Sequence, residues 1–167
     1  MSLRKRREAA AKYKPDRVRL LLVAEAPPCA EDRYFYFEDV DRHDWLFRYV
    51  WEGLTGDKPE PGKKAEHLEV LRDMGVFLVD LHEEAISKPT ITQLVPEVPG
   101  LVSRCDALDA ERIILIKSVV YDAAFGAFAS SGLPVADARI PFPASGQQKK
   151  FLELFRAAVA GFEFAAR

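Results

Sequence analysis

The chain reads as a three-layer α/β/α domain built on a parallel central sheet, and three observations carry that expectation. The runs RVRLLLVAE (Arg17 to Glu25), VFLVDL (Val76 to Leu81) and ERIILIK (Glu111 to Lys117) are branched and apolar without alternation, which is how strands buried on both faces read. Segments with apolar residues at helical spacing lie between them, and strands alternating with helices imply parallel pairing beneath helices on both faces. The carboxyl ends of the runs are polar or sharply turned, and open sheets of this class hold ligands there.

The elements follow in order. Residues 1–16 carry the basic run RKRREAAAKYK and are expected to form a helix or an arm. After the first strand, a polar and aromatic loop extends to about Glu38. DVDRHDWLFRYVWEGL then spaces Val40, Trp45, Tyr49 and Val50 as a helix, ending near Gly53 or Gly56. DKPEPG is a linker, and KKAEHLEVLRDMG is an amphipathic helix closed by Gly75. Beyond the second strand, SKPTITQLVPEVPG has three prolines and little periodicity, so it is expected to be an irregular loop before a helix at 101–108. SVVYDAAFGAFASSG follows the third strand as a helix, and a short fourth strand is expected over 133–138. In IPFPASGQQKKF (Ile140 to Phe151) the prolines end that strand, and Ser145 is placed to cap a helix from Gln147 through Phe155. The free N–H groups at its start, with Lys149 and Lys150, make a candidate anion site.

At 167 residues, 49% apolar and 30% charged, the chain suits a single domain with a full core. A net charge of −2 argues against a strongly electrostatic nucleic-acid binder. The apolar runs are far below membrane-spanning length and no apolar region follows the basic N-terminus, so a cytoplasmic protein without a membrane partner is expected. Cys29 and Cys105 are too few for a disulfide framework, and no iron–sulfur cluster is expected. His43, His67 and His82 are scattered, no glycine-rich nucleotide loop is present, and no Gly-x-Ser-x-Gly elbow follows a strand. Neither a metal nor another cofactor is expected.

Three stretches in matching order resemble the uracil-DNA glycosylase superfamily. VAEAPP (Val23 to Pro28) is similar to its first motif, and IPFPASGQQ (Ile140 to Gln148) to its His-Pro-Ser-Pro motif. VFLVDL takes the place of the strand whose terminal asparagine reads the base edge. The likeness spans about residues 17 to 160. It implies a sheet of four parallel strands, a DNA or nucleotide partner, a monomer, and a cleft in which Glu25 acts on a water, Ala26 and Pro27 bound the base, and Phe35 or Tyr36 stacks on it. Pro143, Ala144, Ser145, Gly146, Gln147, Lys149 and Lys150 would then hold phosphate.

The chain departs from that pattern at three positions. Ala26 stands where the most active branch has a carboxylate, and Ile140 where a histidine stabilises the departing base. Asp80 stands where asparagine reads uracil. An ionised carboxylate only accepts hydrogen bonds, so Asp80 suits adjacent N–H donors, unless a raised pKa restores a donor; it could equally cap a loop or pair with Lys117. Lys117, a charge ending a buried strand, is read as a partner of Asp80 or Glu25, as a phosphate contact, or as an amine nucleophile. Two functions follow: a base-excision N-glycosylase of altered base preference with weak or no uracil activity, or a non-catalytic nucleic-acid or nucleotide binder using the same cleft.

Overall fold

The computed structural model describes residues 2–40 and 42–164. Its elements are α1 (Ser2–Lys12), β1 (Leu20–Ala24), α2 (Trp45–Thr55), α3 (Lys64–Asp73), β2 (Val76–Asp80), α4 (Ile91–Leu94), a 3-10 turn (Val95–Glu97), α5 (Val98–Leu108), β3 (Arg112–Leu115), α6 (Ser118–Ser130) and α7 (Gln148–Val159). The fold is mixed α/β around a parallel sheet in the order β2-β1-β3. Leu20 to Val23 of β1 are fully buried and Ala24 nearly so. Side chains alternate across a strand, so both faces of the central strand are covered, which is why its sequence has no polar alternation.

The fourth strand does not form among the described residues. Residues 133–140 touch the sheet edge only through isolated bridges, Ile113 to Val135 and Ile116 to Ile140. Pro134, Pro141 and Pro143 have no N–H to give, and the N–H groups of Val135 and Ala138 turn back to Leu133 and Ala136 two residues earlier. The backbone groups that a ladder would need are absent or already used.

The expected loop at 87–100 is largely helical. The Thr90 hydroxyl accepts from Gln93 N at 3.3 Å while the Gln93 side chain accepts from Thr90 N at 2.9 Å, a reciprocal cap. Pro96 and Pro99 lie in the first turns of the 3-10 segment and of α5, where a missing N–H costs nothing. The second helix starts at Trp45 rather than near Asp39; His43 just before it has φ 57°, a left-handed conformation that a right-handed helix does not run through. Gly53 does not end α2; a Cβ there would meet the Phe155 ring at 2.5 Å, so this glycine lets α2 and α7 approach. Gly56, with φ 82°, is the cap. The basic N-terminus is a helix, and one of its arginines, Arg6, is only 4% exposed. Among the described residues no helix is long and apolar enough to cross a membrane.

Candidate functional site

Strand register assembles the site. Ala24 pairs with Asp80, and Val23 with Leu115, so the three carboxyl ends finish level. Pairing continues past the strands: Leu81 N donates to Ala24 O, His82 N to Glu25 O, and Ile116 N to Val23 O, at 2.8–2.9 Å. The backbone of the VAEAPP turn is thereby held at the mouth of a cleft of about 310 Å³. Glu25, Ala26, Pro27, Phe35, Asp80 and Lys117 all line it, residues that the sequence scatters over more than ninety positions.

Lys117 Nζ lies 2.8 Å from Glu25 Oε2, with the lysine 38% and the glutamate 13% exposed. Of the partners open to Lys117, the structure selects Glu25 over Asp80. Lys117 has φ 84° and ψ 133°, a left-handed conformation that costs a non-glycine residue about 1–3 kcal/mol. A part-exposed ion pair contributes about 0–1 kcal/mol. The pair by itself therefore does not offset the strain.

Asp80 is 8% exposed. Burial, reinforced by Glu83 and Glu25, pushes its carboxyl up to about 7 against the opposing charges of Arg104 and Arg6. Arg104 donates to the backbone oxygens of Asp80 and Leu81, at 3.0 and 3.3 Å, and among the described residues no donor reaches the Asp80 carboxylate. Near neutrality this group is poised between acceptor-only and donor-plus-acceptor forms.

Of the two aromatic candidates, only Phe35 lines the cleft. Tyr36 is a core residue, 3% exposed. Its hydroxyl accepts from Leu78 N at 2.7 Å and donates to Leu78 O at 3.3 Å, fastening the aromatic loop to β2 instead of facing a ligand.

The turn from Pro143 to Lys150 does not line the cleft. It lines an adjoining groove through Ala144, Ser145, Gln147 and Lys150, and the groove meets the cleft at Lys117 and Phe142. Pro143 is buried, whereas Gly146 and Lys149 are exposed but do not line the groove. Ser145 does not cap α7. It and Gly146 are both left-handed, with φ 54° and 83°, and the cap position belongs to Gln147, which makes no side-chain capping bond. Two successive left-handed residues turn the chain before the helix starts, so the serine sits two residues too early. Ile140 is fully buried and presents nothing to the cleft.

Sequence reasoning missed Arg33, Tyr34, His43, Asp44, Trp45 and Lys88 as lining residues. Asp44 looked like part of a helix because it precedes an apolar periodic run. Instead it forms an ion pair with Lys64, Nζ to Oδ2 2.7 Å, a contact across twenty positions that no local pattern announces. No family model matches the chain, and no curated protein matches its sequence.

Proposed function

We propose that the protein is a divergent relative of the uracil-DNA glycosylase superfamily, with the three-layer architecture of that group, that releases a base other than uracil from DNA. The observation that carries this reading is the meeting of Glu25, Ala26, Pro27, Phe35, Asp80 and Lys117 in one cleft at the carboxyl edge of the sheet. A cleft of about 310 Å³ lies at the low end of ligand pockets, about 300–1,000 Å³, a size suited to one extruded base. Phe35, 7% exposed, supplies apolar wall to the cleft, against which a base could pack.

Asp80 supports the altered preference. A protonated carboxyl donates from one oxygen and accepts at the other, which complements a lactam edge carrying N–H beside C=O. Hypoxanthine, xanthine and uracil all present that edge, so the protonated form does not discriminate among them and the altered preference rests on the ionised form. Ionised, Asp80 accepts only and favours adjacent N–H donors. Glu25 would hold the water that attacks the anomeric carbon; with no side chain from position 140 to stabilise the leaving base, release is slow, and slowest for uracil.

A second reading, a nucleic-acid or nucleotide binder without catalysis, is favoured by one observation: the Glu25 carboxylate is engaged by Lys117. Oligonucleotides carrying uracil, hypoxanthine, xanthine or mispaired normal bases, assayed for abasic-site formation, decide between them. Release of a purine lactam that falls about 10²- to 10⁴-fold in Glu25→Gln supports the enzyme. Brisk uracil release overturns the altered preference, and binding without any release favours the binder.

A further inference from the structure

Lys117 is a costly residue for its position. A glycine would adopt φ 84° freely, and the part-exposed pair with Glu25 returns less stability than the strain takes away. Strained non-glycine residues cluster where a side chain is needed in one place. What this backbone holds in place is an amine with a carboxylate oxygen 2.8 Å away, both groups lining the cleft. The Lys117 N–H is anchored on Ile140 O at 2.9 Å, and the ring of Phe142 stands 6.0 Å from the ammonium. Lys88, the other lysine among the described lining residues, is exposed and has no carboxylate partner among the described residues.

We infer that Lys117 is an amine nucleophile which, with Glu25 as its proton acceptor, captures the aldehyde of an abasic deoxyribose as an imine and so cleaves the strand. The inference rests on the reading of the cleft as a nucleobase site, since an abasic sugar is what base release leaves behind. Glu25 takes one proton from the ammonium. The freed nitrogen adds to the C1′ aldehyde carbon, one of its two protons moves to the alkoxide to give the carbinolamine hydroxyl, and the proton on Glu25 then passes to that hydroxyl, which departs as water; C=N has replaced C=O and Lys117 carries an iminium. The iminium acidifies C2′, whose proton goes to the Glu25 carboxylate. The electron pair left behind forms the C2′–C3′ double bond as the C3′–O bond breaks and the 3′ phosphate leaves. Water then hydrolyses the imine, restoring the amine and releasing the unsaturated aldehyde. No outside oxidant, reductant or metal enters the balance.

The test supplies the abasic site ready-made. The full chain is incubated with a short oligonucleotide bearing one natural abasic site, with and without sodium cyanoborohydride, and covalent adducts are resolved on a denaturing gel and mapped by peptide mass spectrometry. A reductant-dependent adduct on Lys117 is expected, with strand cleavage when reductant is omitted. Lys117→Arg, which keeps the charge but not the nucleophile, should lose the adduct, and Glu25→Gln should slow its formation by about two orders of magnitude. Lys117→Gly should also lose it while melting no lower than wild type, which separates lost chemistry from lost folding. Absence of an adduct with folded wild type, an adduct that persists in Lys117→Arg, or one that maps to Lys88 or the terminal amine overturns the inference. Since no base has to be released first, failure here leaves the base-release assay standing, and trapping without base release in that assay removes the glycosylase reading alone.

Discussion

Lys64 Nζ lies 2.7 Å from Oδ2 of Asp44, a residue that lines the cleft, the two side chains only 7% and 13% exposed. The same ammonium donates to Tyr34 O at 3.2 Å and lies 4.7 Å from the centre of the Phe47 ring. Burial outweighs the mutual attraction, holding Lys64 below the usual ammonium range and Asp44 above the usual carboxylate range. One contact thus joins α3, the start of α2 and the aromatic loop.

Breaking this pair from one side strands a buried charge. Lys64→Met is expected to cost about 3–5 kcal/mol, while Lys64→Met combined with Asp44→Leu recovers most of the loss, because a buried pair replaced by apolar groups is often neutral. Urea unfolding of the three chains checks this; a single substitution costing under about 1 kcal/mol would mean that water reaches the pair.

Asp80 sets a pH dependence of stability. Its folded value of about 7 lies above the ordinary 3.8, so as pH rises through 4 the unfolded chain gives up this proton while the folded chain keeps it. Stability from this group is full below pH 4, falls between pH 4 and 7, and is level above, a loss on the order of 4 kcal/mol. Arg104 and Arg6 oppose the effect, and Glu83 and Glu25 add to it. Asp80→Asn should flatten that slope and unfold at higher denaturant than wild type at pH 8. Parallel pH profiles for the two proteins would refute it.

Tyr36→Phe tests an aromatic that resembled a base platform and proved to be a tether. Removing the hydroxyl leaves the Leu78 N–H without its 2.7 Å acceptor, at a cost of about 1–3 kcal/mol. Thermal unfolding should register the loss while oligonucleotide affinity stays within twofold of wild type. Weakened affinity at unchanged stability would return Tyr36 to the site.

Comparison of Lys117→Gly with Lys117→Ala isolates backbone strain. Both lose the pair with Glu25, but only glycine relieves φ 84°. The glycine chain is expected to be about 1 kcal/mol or more the stabler of the two, as measured by chemical denaturation. Equal stability would mean that the position is unstrained.

The adjoining groove separates two neighbouring lysines. Lys150 lines it and Lys149 does not. If single-stranded DNA tracks the groove, Lys150→Gln should reduce the slope of log affinity against log salt by about 0.7, and Lys149→Gln should leave it near the wild-type value. Salt titration of both chains decides, and equal effects would place the backbone elsewhere.

The sequence by itself determined the parallel sheet, because burial on both faces writes an uninterrupted apolar run into Leu20–Ala24 and into residues 76–79 that no exposed strand would tolerate. The strand ends were legible for the same reason: Glu25, Asp80 and Lys117 are charges where the apolar runs stop, so the polar edge of the sheet could be named. Some local signals were present and outweighed. The Thr90 and Gln93 cap was readable three positions apart, but the prolines nearby read as helix breakers until the places of Pro96 and Pro99 in first turns were known. Partners were legible only as classes. Which carboxylate takes Lys117, whether Tyr36 faces the cleft or the core, and where Asp44 and Lys64 meet are long-range choices set by strand register and by burial. Two charges twenty positions apart carry no mark of each other until packing removes the water that would otherwise solvate both.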